Sequence, residues 1–199
     1  MIKFEEVTKF HGHECPGSAT GYKASKIAVE RLGIDSSKDE EVFAIVENDS
    51  CAVDSIQVVL SCTFGKENLI FNDYGKNVYT IVSRDRNKAI KLSMKKSFNP
   101  IETNPKFSEL KEKERNKTIS IEEKDELKIM TLEVCNYIIN MKDEEIFSVK
   151  EVEMPPIEKA KIYESLECDN CGELTAEYRI QKYENKKLCI PCYEKLKSK

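Results

Sequence analysis

EVFAIVENDSCAVDSIQVVLSC, residues 41–62, decides the fold class, because its hydrophobic period changes halfway along. EVFAIVEN is a short continuous apolar run of the buried-strand type. The following CAVDSIQVVLSC sets Val53, Ile56, Val59 and Leu60 on one helical face. A strand that feeds directly into a helix predicts helices layered on a sheet, and the junction, occupied by Cys51, is where such layers present ligands.

Working outward, NLIF, NVYTIVSR and KAIKLSMK read as three short strands joined by the turn signals Asn72-Asp73-Tyr74-Gly75 and Asp85-Arg86-Asn87, which predicts an antiparallel meander. Upstream, SATGYKASKIAVERLG repeats apolar residues at helical spacing, with Ser18 as the expected N-cap and Gly33 as the stop. The charged stretch from Pro105 to Thr118 is expected to be a solvated helix or a mobile connection. Ser120 and Glu123 have the spacing of a capping box ahead of a long amphipathic helix ending near Met141, with Cys135 as core. VKEVEMPP alternates like a strand, and Pro155-Pro156 marks the expected boundary between a core domain, 1–154, and a small C-terminal domain, 155–199.

The chain has 199 residues, 40% apolar and 34% charged, with a formal net charge of -4, a composition that supports a folded core and argues against nucleic-acid binding by bulk charge. No apolar run is long enough to span a bilayer, and MIKFEEVTKF lacks the apolar centre of a signal peptide, so the cytoplasm is the expected location. In that compartment eight cysteines are better explained as metal ligands or reactive thiols than as disulfides.

Four of them, Cys168, Cys171, Cys189 and Cys192, form C-x2-C-x17-C-x2-C, the spacing of two knuckles on one tetrahedral ion. Between them ELTAEYRIQKYENKKL alternates as a hairpin with its turn at Glu184-Asn185-Lys186, and YEKLKSK is a short basic helix. This order predicts a treble-clef or zinc-ribbon finger around a structural zinc. A tail this short cannot fold on its apolar content alone.

FHGHECPG, residues 10–17, holds both histidines of the chain, His11 and His13, and sets Cys15 just before a helix. Residues two apart share one side of an extended chain, so two imidazoles and a thiol can converge there, and a helix N-terminus favours the thiolate. Cys51 can complete a His11/His13/Cys15/Cys51 site for a second transition metal, with zinc the first expectation and Asp54 orienting an imidazole. Cys62 joins only if its helix ends early, because eleven helical residues span about 16 Å.

FHGHECPG, the GYKAS helix, NDSCAVDSIQVVLSCTFGKENLIFNDYGK and the four-cysteine tail together resemble the FmdE family of formylmethanofuran dehydrogenase proteins, over the core to about residue 150 and the tail. The resemblance implies an α+β core of helices on a mostly antiparallel sheet, a cysteine/histidine metal pocket, a C-terminal zinc finger and homodimers. It also implies association with molybdenum- or tungsten-dependent formylmethanofuran dehydrogenase, the enzyme of methanogenesis that fixes CO2 on methanofuran. Carried onto this chain, it places His11, His13, Cys15 and Cys51 in the pocket with Cys62 nearby, and Cys15, His13 and Cys51 are the candidate catalytic groups. Thr63, Lys66, Asp73, Tyr74 and Lys76 are the candidate contacts to an anionic cofactor or ligand.

Three functions fit these residues: a metal-binding accessory subunit of a one-carbon metalloenzyme, a thiol oxidoreductase using Cys15 in Cys15-Pro16-Gly17-Ser18, and a metal- or metabolite-sensing scaffold. They differ in whether the core keeps its own metal.

Overall fold

The EVFAIV run forms strand β1 (Val42–Val46), which lies inside a five-stranded sheet rather than at its edge. Helix α3 (Ala52–Leu60) follows it and returns the chain to β2 (Leu69–Phe71), which pairs with β1 in parallel. That crossover corrects the expected meander. A helix between two strands lets the second start at the same end as the first, which a tight turn cannot do. β3 (Val78–Ser83) then pairs antiparallel on the other side of β1, β4 (Lys88–Met94) on β3, and β5 (Phe147–Val152) on β4, giving the order β2-β1-β3-β4-β5.

The computed structural model describes residues 2–95, 99, 102, 104–156 and 162–198. The chain divides into two compact units, Met1–Ile157 and Glu158–Lys199. In the first, side chains alternate along the strands. Val42, Ala44 and Val46 join Ile81, Ile90 and Leu92 in the main core beneath the helices, while Phe43, Val82 and Ala89 form a smaller cluster with Ile70, Val152 and Met154. Among the described residues no helix is long and apolar enough to cross a membrane.

Helix α1 (Phe4–His11) ends on Gly12, whose φ of 93° turns the chain toward α2 (Pro16–Leu32). α2 starts three residues before the sequence expectation: Cys15, not Ser18, is its N-cap, and Ser18 completes the reciprocal capping pair from the third helical position. α2 crosses α3 in very close contact. A Cβ on Gly21 would fall 2.1 Å from the carbonyl oxygen of Ala52, so only glycine permits this approach. The Ser55 hydroxyl also donates to the Ser18 carbonyl at 2.6 Å.

Charged 105–118 forms helix α4 (Pro105–Arg115), capped by the Asn104 side chain and anchored by fully buried Phe107 and Leu110, so it belongs to the core rather than to a mobile connection. α5 (Ile121–Asn140) begins with the Ser120/Glu123 capping box, and Cys135 is buried within it. Lys23, buried on α2, pairs at 2.9 Å with Asp143, which opens the single turn α6 (Asp143–Ile146).

The second unit has two small hairpins, β6 (Ser165–Glu167) with β7 (Leu174–Ala176) and β8 (Gln181–Tyr183) with β9 (Lys186–Leu188), followed by α7 (Ile190–Lys197). Glu184 takes the left-handed conformation at the β8–β9 turn, and Lys186 already belongs to β9.

Candidate metal centre

The three groups that meet in the core come from two helix starts and one helix end. Cys15 is extended at the N-cap of α2, where its sulfur accepts the Ser18 N–H at 3.3 Å. Cys51 stands before α3 at the end of a loop fixed by Asn48. The Asn48 side-chain oxygen, Oδ1, accepts the Ser50 N–H at 3.0 Å and the Ser50 hydroxyl at 2.7 Å, and its side-chain amide N–H donates to the Lys76 carbonyl at 2.6 Å. The Cys51 sulfur makes no capping bond to α3. His11 closes α1, with Nδ1 2.7 Å from Asp54 Oδ2 and Nε2 3.7 Å from Cys15 Sγ.

A carboxylate on Nδ1 selects the tautomer that carries its proton there and turns the Nε2 lone pair toward the sulfur, as outer-sphere carboxylates do for metal-binding histidines. One ligand atom each from His11, Cys15 and Cys51 lies within 4.8 Å of the others. Gly17 lets the start of α2 pack directly against Cys51. A Cβ there would sit 3.1 Å from Cys51 Cβ and 3.7 and 3.8 Å from the Cys15 and Cys51 sulfurs.

The electrostatics suit a shared cation. The Asp54 hydrogen bond raises the His11 pKa against the opposing effect of burial. Burial pushes the Cys15 thiol up, but hydrogen bonds from Ser18, Cys51 and the neighbouring His11 outweigh it and hold Cys15 below its usual value. Burial and the adjacent Cys15 charge raise Cys51. The two thiols are thus made unequal, and a divalent ion would favour the thiolate form of both. Two sulfurs and an imidazole fit zinc, with one tetrahedral position left over.

Several expected site residues lie elsewhere. His13 is exposed and stacks beside His11 at 4.5 Å between ring centroids, but its nitrogens fall outside the ligand cluster. The reason is local: His11 ends a helix and Gly12 reverses the chain, so the two histidines are not alternate residues of an extended segment.

Cys62 lies past the end of α3, fully buried, with its thiol donating to the Val42 carbonyl at 3.6 Å. Burial pushes its pKa up to about 12. It is expected to remain unmodified when the native protein is treated with iodoacetamide at neutral pH and to react on unfolding, a contrast that peptide mass mapping would read.

Lys66 is at this same end of the fold, its ammonium donating to the Ser37 carbonyl at 3.0 Å. Asp73 and Tyr74 follow β2 at the opposite end, where Asn72 N–H bonds the Val46 carbonyl; Tyr74 is exposed, with Lys76 Nζ 5.5 Å from its ring centroid. Lys66 and the Asp73–Tyr74 pair therefore do not line one common pocket. Sequence reasoning missed the roles that Ser18, Asn48 and Gly17 play at the sulfur centre. Of these only Ser18 carried a usable signal, three residues after a candidate cap.

In the second unit the four sulfurs of Cys168, Cys171, Cys189 and Cys192 lie within 4.8 Å of one another. Gly172, at a φ of 75°, makes the knuckle turn, its N–H bonding the Cys168 carbonyl at 2.9 Å. The Cys189 N–H donates to Cys168 Sγ at 3.3 Å, and the Asn170 amide to Cys192 Sγ at 3.3 Å. Backbone N–H groups of Cys189 and Cys171 lower the Cys168 pKa to about 6. Four cysteines in this array suit a closed tetrahedral site.

An α+β core with a His/Cys2 cluster, joined to a four-cysteine finger, defines the class of protein. The chain belongs to the FmdE family, described as "FmdE, Molybdenum formylmethanofuran dehydrogenase operon", whose model matches residues 10–148. Residues 161–197 match the prokaryotic dksA/traR C4-type zinc finger. A probable S-adenosyl-L-methionine-binding protein of Archaeoglobus fulgidus is 36% identical over 193 residues, covering 92% of this chain; the chain spans about half, 50%, of that relative. The fold is similar to the crystal structure of a tungsten formylmethanofuran dehydrogenase FmdE-like protein from Syntrophus aciditrophicus, with a TM-score of 0.61 and 20% identity over 96% of this chain and 92% of that one.

Proposed function

We propose that this protein is a two-metal accessory component of a molybdenum or tungsten formylmethanofuran dehydrogenase, or of a related one-carbon metalloenzyme. In this reading His11, Cys15 and Cys51 hold an exchangeable transition metal, zinc first, and the four finger cysteines hold a structural zinc. The observation that carries it is the Asp54–His11–Cys15 alignment, which aims an imidazole lone pair at a thiol with a second thiol alongside. A bound metal there would supply Lewis acidity at one open position; the chain's own groups orient the ligands, Asp54 through His11 and Ser18 through Cys15. Family membership and the tungsten-enzyme name of the similar structure support the enzyme system, and a homodimer is the proposed assembly.

The test is metal analysis of protein purified without chelator. Two ions per chain are expected, one in Cys15→Ser and one in Cys168→Ser. A full complement in Cys15→Ser would remove the core site.

One observation favours a second reading, a thiol oxidoreductase: Cys15 has a lowered pKa at a helix start with Cys51 beside it. Rapid alkylation of Cys15 that is indifferent to chelator would select it over the metal site.

A further inference from the structure

The hydrogen-bonded chain that orients His11 does not stop at Asp54. Gln57, one turn further along α3, donates from Nε2 to Asp54 Oδ1 at 3.1 Å, while Asp54 Oδ2 lies 2.7 Å from His11 Nδ1. Gln57 also lines a cleft of about 240 Å³ together with Phe10, Val58, Ser61, Thr63 and Lys66. Resting on the metal reading of the core site, we propose that this cleft is an effector site for a small aromatic carboxylate, whose binding loosens the core metal through Gln57 and Asp54.

Three features of the cleft point to this ligand class. The first is its apolar side. Phe10, next to His11 at the end of α1, is 61% exposed, and Val58 lies in the same lining. A planar ring can stack on such a surface. Drug-sized ligands occupy pockets of about 300–1,000 Å³, so this smaller volume suits a single ring.

The second is charge. Among the residues that line the cleft Lys66 alone is charged. An ammonium has three N–H donors, and one of those on Lys66 goes to the Ser37 carbonyl at 3.0 Å, which leaves donors for a carboxylate. The Leu60 carbonyl at the end of α3 already accepts the Ser37 N–H at 2.8 Å, so that oxygen is engaged elsewhere.

The third is the backbone. Ser61 closes α3 at a φ of 53°, the left-handed conformation that glycine usually supplies at a helix end. The chain then returns Thr63 and Lys66 to the cleft that Gln57 and Val58 line. Non-glycine residues held in this region of φ cluster at ligand sites, where the surrounding structure sustains the strain.

The coupling runs through one amide. A ligand oxygen that accepts from Gln57 draws its side chain toward the cleft and away from Asp54, and Asp54 then fixes the His11 ring less firmly. Groups that hold a metal-binding histidine from outside change metal affinity by about 10–100-fold when lost, and a partner one step further out should change it less. By linkage, bound metal must weaken the ligand by the same factor as the ligand weakens the metal.

The test uses the full zinc-loaded chain with benzoate, benzamide and acetate as probes. Binding is read by ligand-observed NMR titration and core zinc affinity by competition with a chromophoric chelator, with Cys15→Ser marking the share of the finger. Benzoate is expected to bind saturably, at least about tenfold more tightly than benzamide or acetate, and severalfold more weakly to Phe10→Ala. Saturating benzoate should lower core zinc affinity about three- to tenfold. Gln57→Leu should lower it by a similar factor with no ligand present, and benzoate should then change it no further.

No saturable benzoate binding, equal binding of benzamide or acetate, or bound benzoate that fails to lower core zinc affinity would overturn the inference and leave the metal reading standing. So would benzoate that still lowers zinc affinity in Gln57→Leu. A parent chain that binds no more zinc than Cys15→Ser before any probe is added would overturn both.

Discussion

Gly21→Ala is expected to cause the largest loss of stability of any single methyl added to the core. The new Cβ would fall 2.1 Å from the Ala52 carbonyl oxygen and 2.6 Å from its carbonyl carbon and Cα, all backbone atoms that cannot rotate away. α2 and α3 must then separate, at a cost of about 3 kcal/mol, the upper end of ordinary overpacking. For a chain of this size that is a fall in melting temperature of roughly 6–12 °C. Cys15 and Cys51 stand at the starts of these same two helices, so core metal should leave on dialysis while the finger keeps its ion. A variant that melts with the parent chain would mean that the helix crossing is looser than the structure has it.

Cys168→Ser is expected to have the other large effect. Among the described residues of the second unit only Cys168, Leu188, Cys189 and Cys192 are buried, with Tyr183, Tyr193 and Leu196 packed against them, so most of this interior is the ligand set itself. The free energy of a four-thiolate zinc site in a peptide of this kind is on the order of 10–16 kcal/mol and is folding free energy. We propose that the finger and the core fold as independent units. Residues 162–198 should then lose protection from hydrogen exchange in Cys168→Ser, while the core keeps its melting transition. A core that melts lower together with the finger would show one cooperative unit instead.

Much of this architecture is legible in the chain because the determinants are local. The change of period at Cys51, the capping residues Ser120 and Glu123 and the two cysteine knuckles each act within a few residues, and each appears in the structure at the position its neighbours dictate. Asp54 was legible in the same way, one turn after Cys51 on a predicted helix.

What escapes a linear reading is set by distant packing. β2 has only three residues, and nothing in NLIF says that it pairs with β1 rather than β3. His13 and Cys62 carry the chemistry of ligands, yet a helix end at His11 and the burial of Cys62 beneath Val42 remove them from the cluster. Lys23 would pass for a solvated lysine, because its partner, Asp143, lies 120 positions away. Gly21 looks like any helix-weakening glycine until Ala52 is placed against it.

The single amide of Asn48 carries a consequence for anyone redesigning this protein. Its two ends hold Ser50, just before Cys51, and the carbonyl of Lys76, which closes the loop containing Tyr74. The two loops are therefore tied together by a side chain that performs no chemistry, beside the backbone bond from the Lys76 N–H to the Glu47 carbonyl at 2.9 Å. Residues 73–75 can be rewritten to recruit a new partner without touching the sulfur centre only if the Lys76 carbonyl keeps its place. A grafted loop that pulls on that carbonyl would retune Cys51 from a distance. The design freedom of this face is set by the hydrogen bonds that hold residue 76 to residues 47 and 48, and not by the length of the loop.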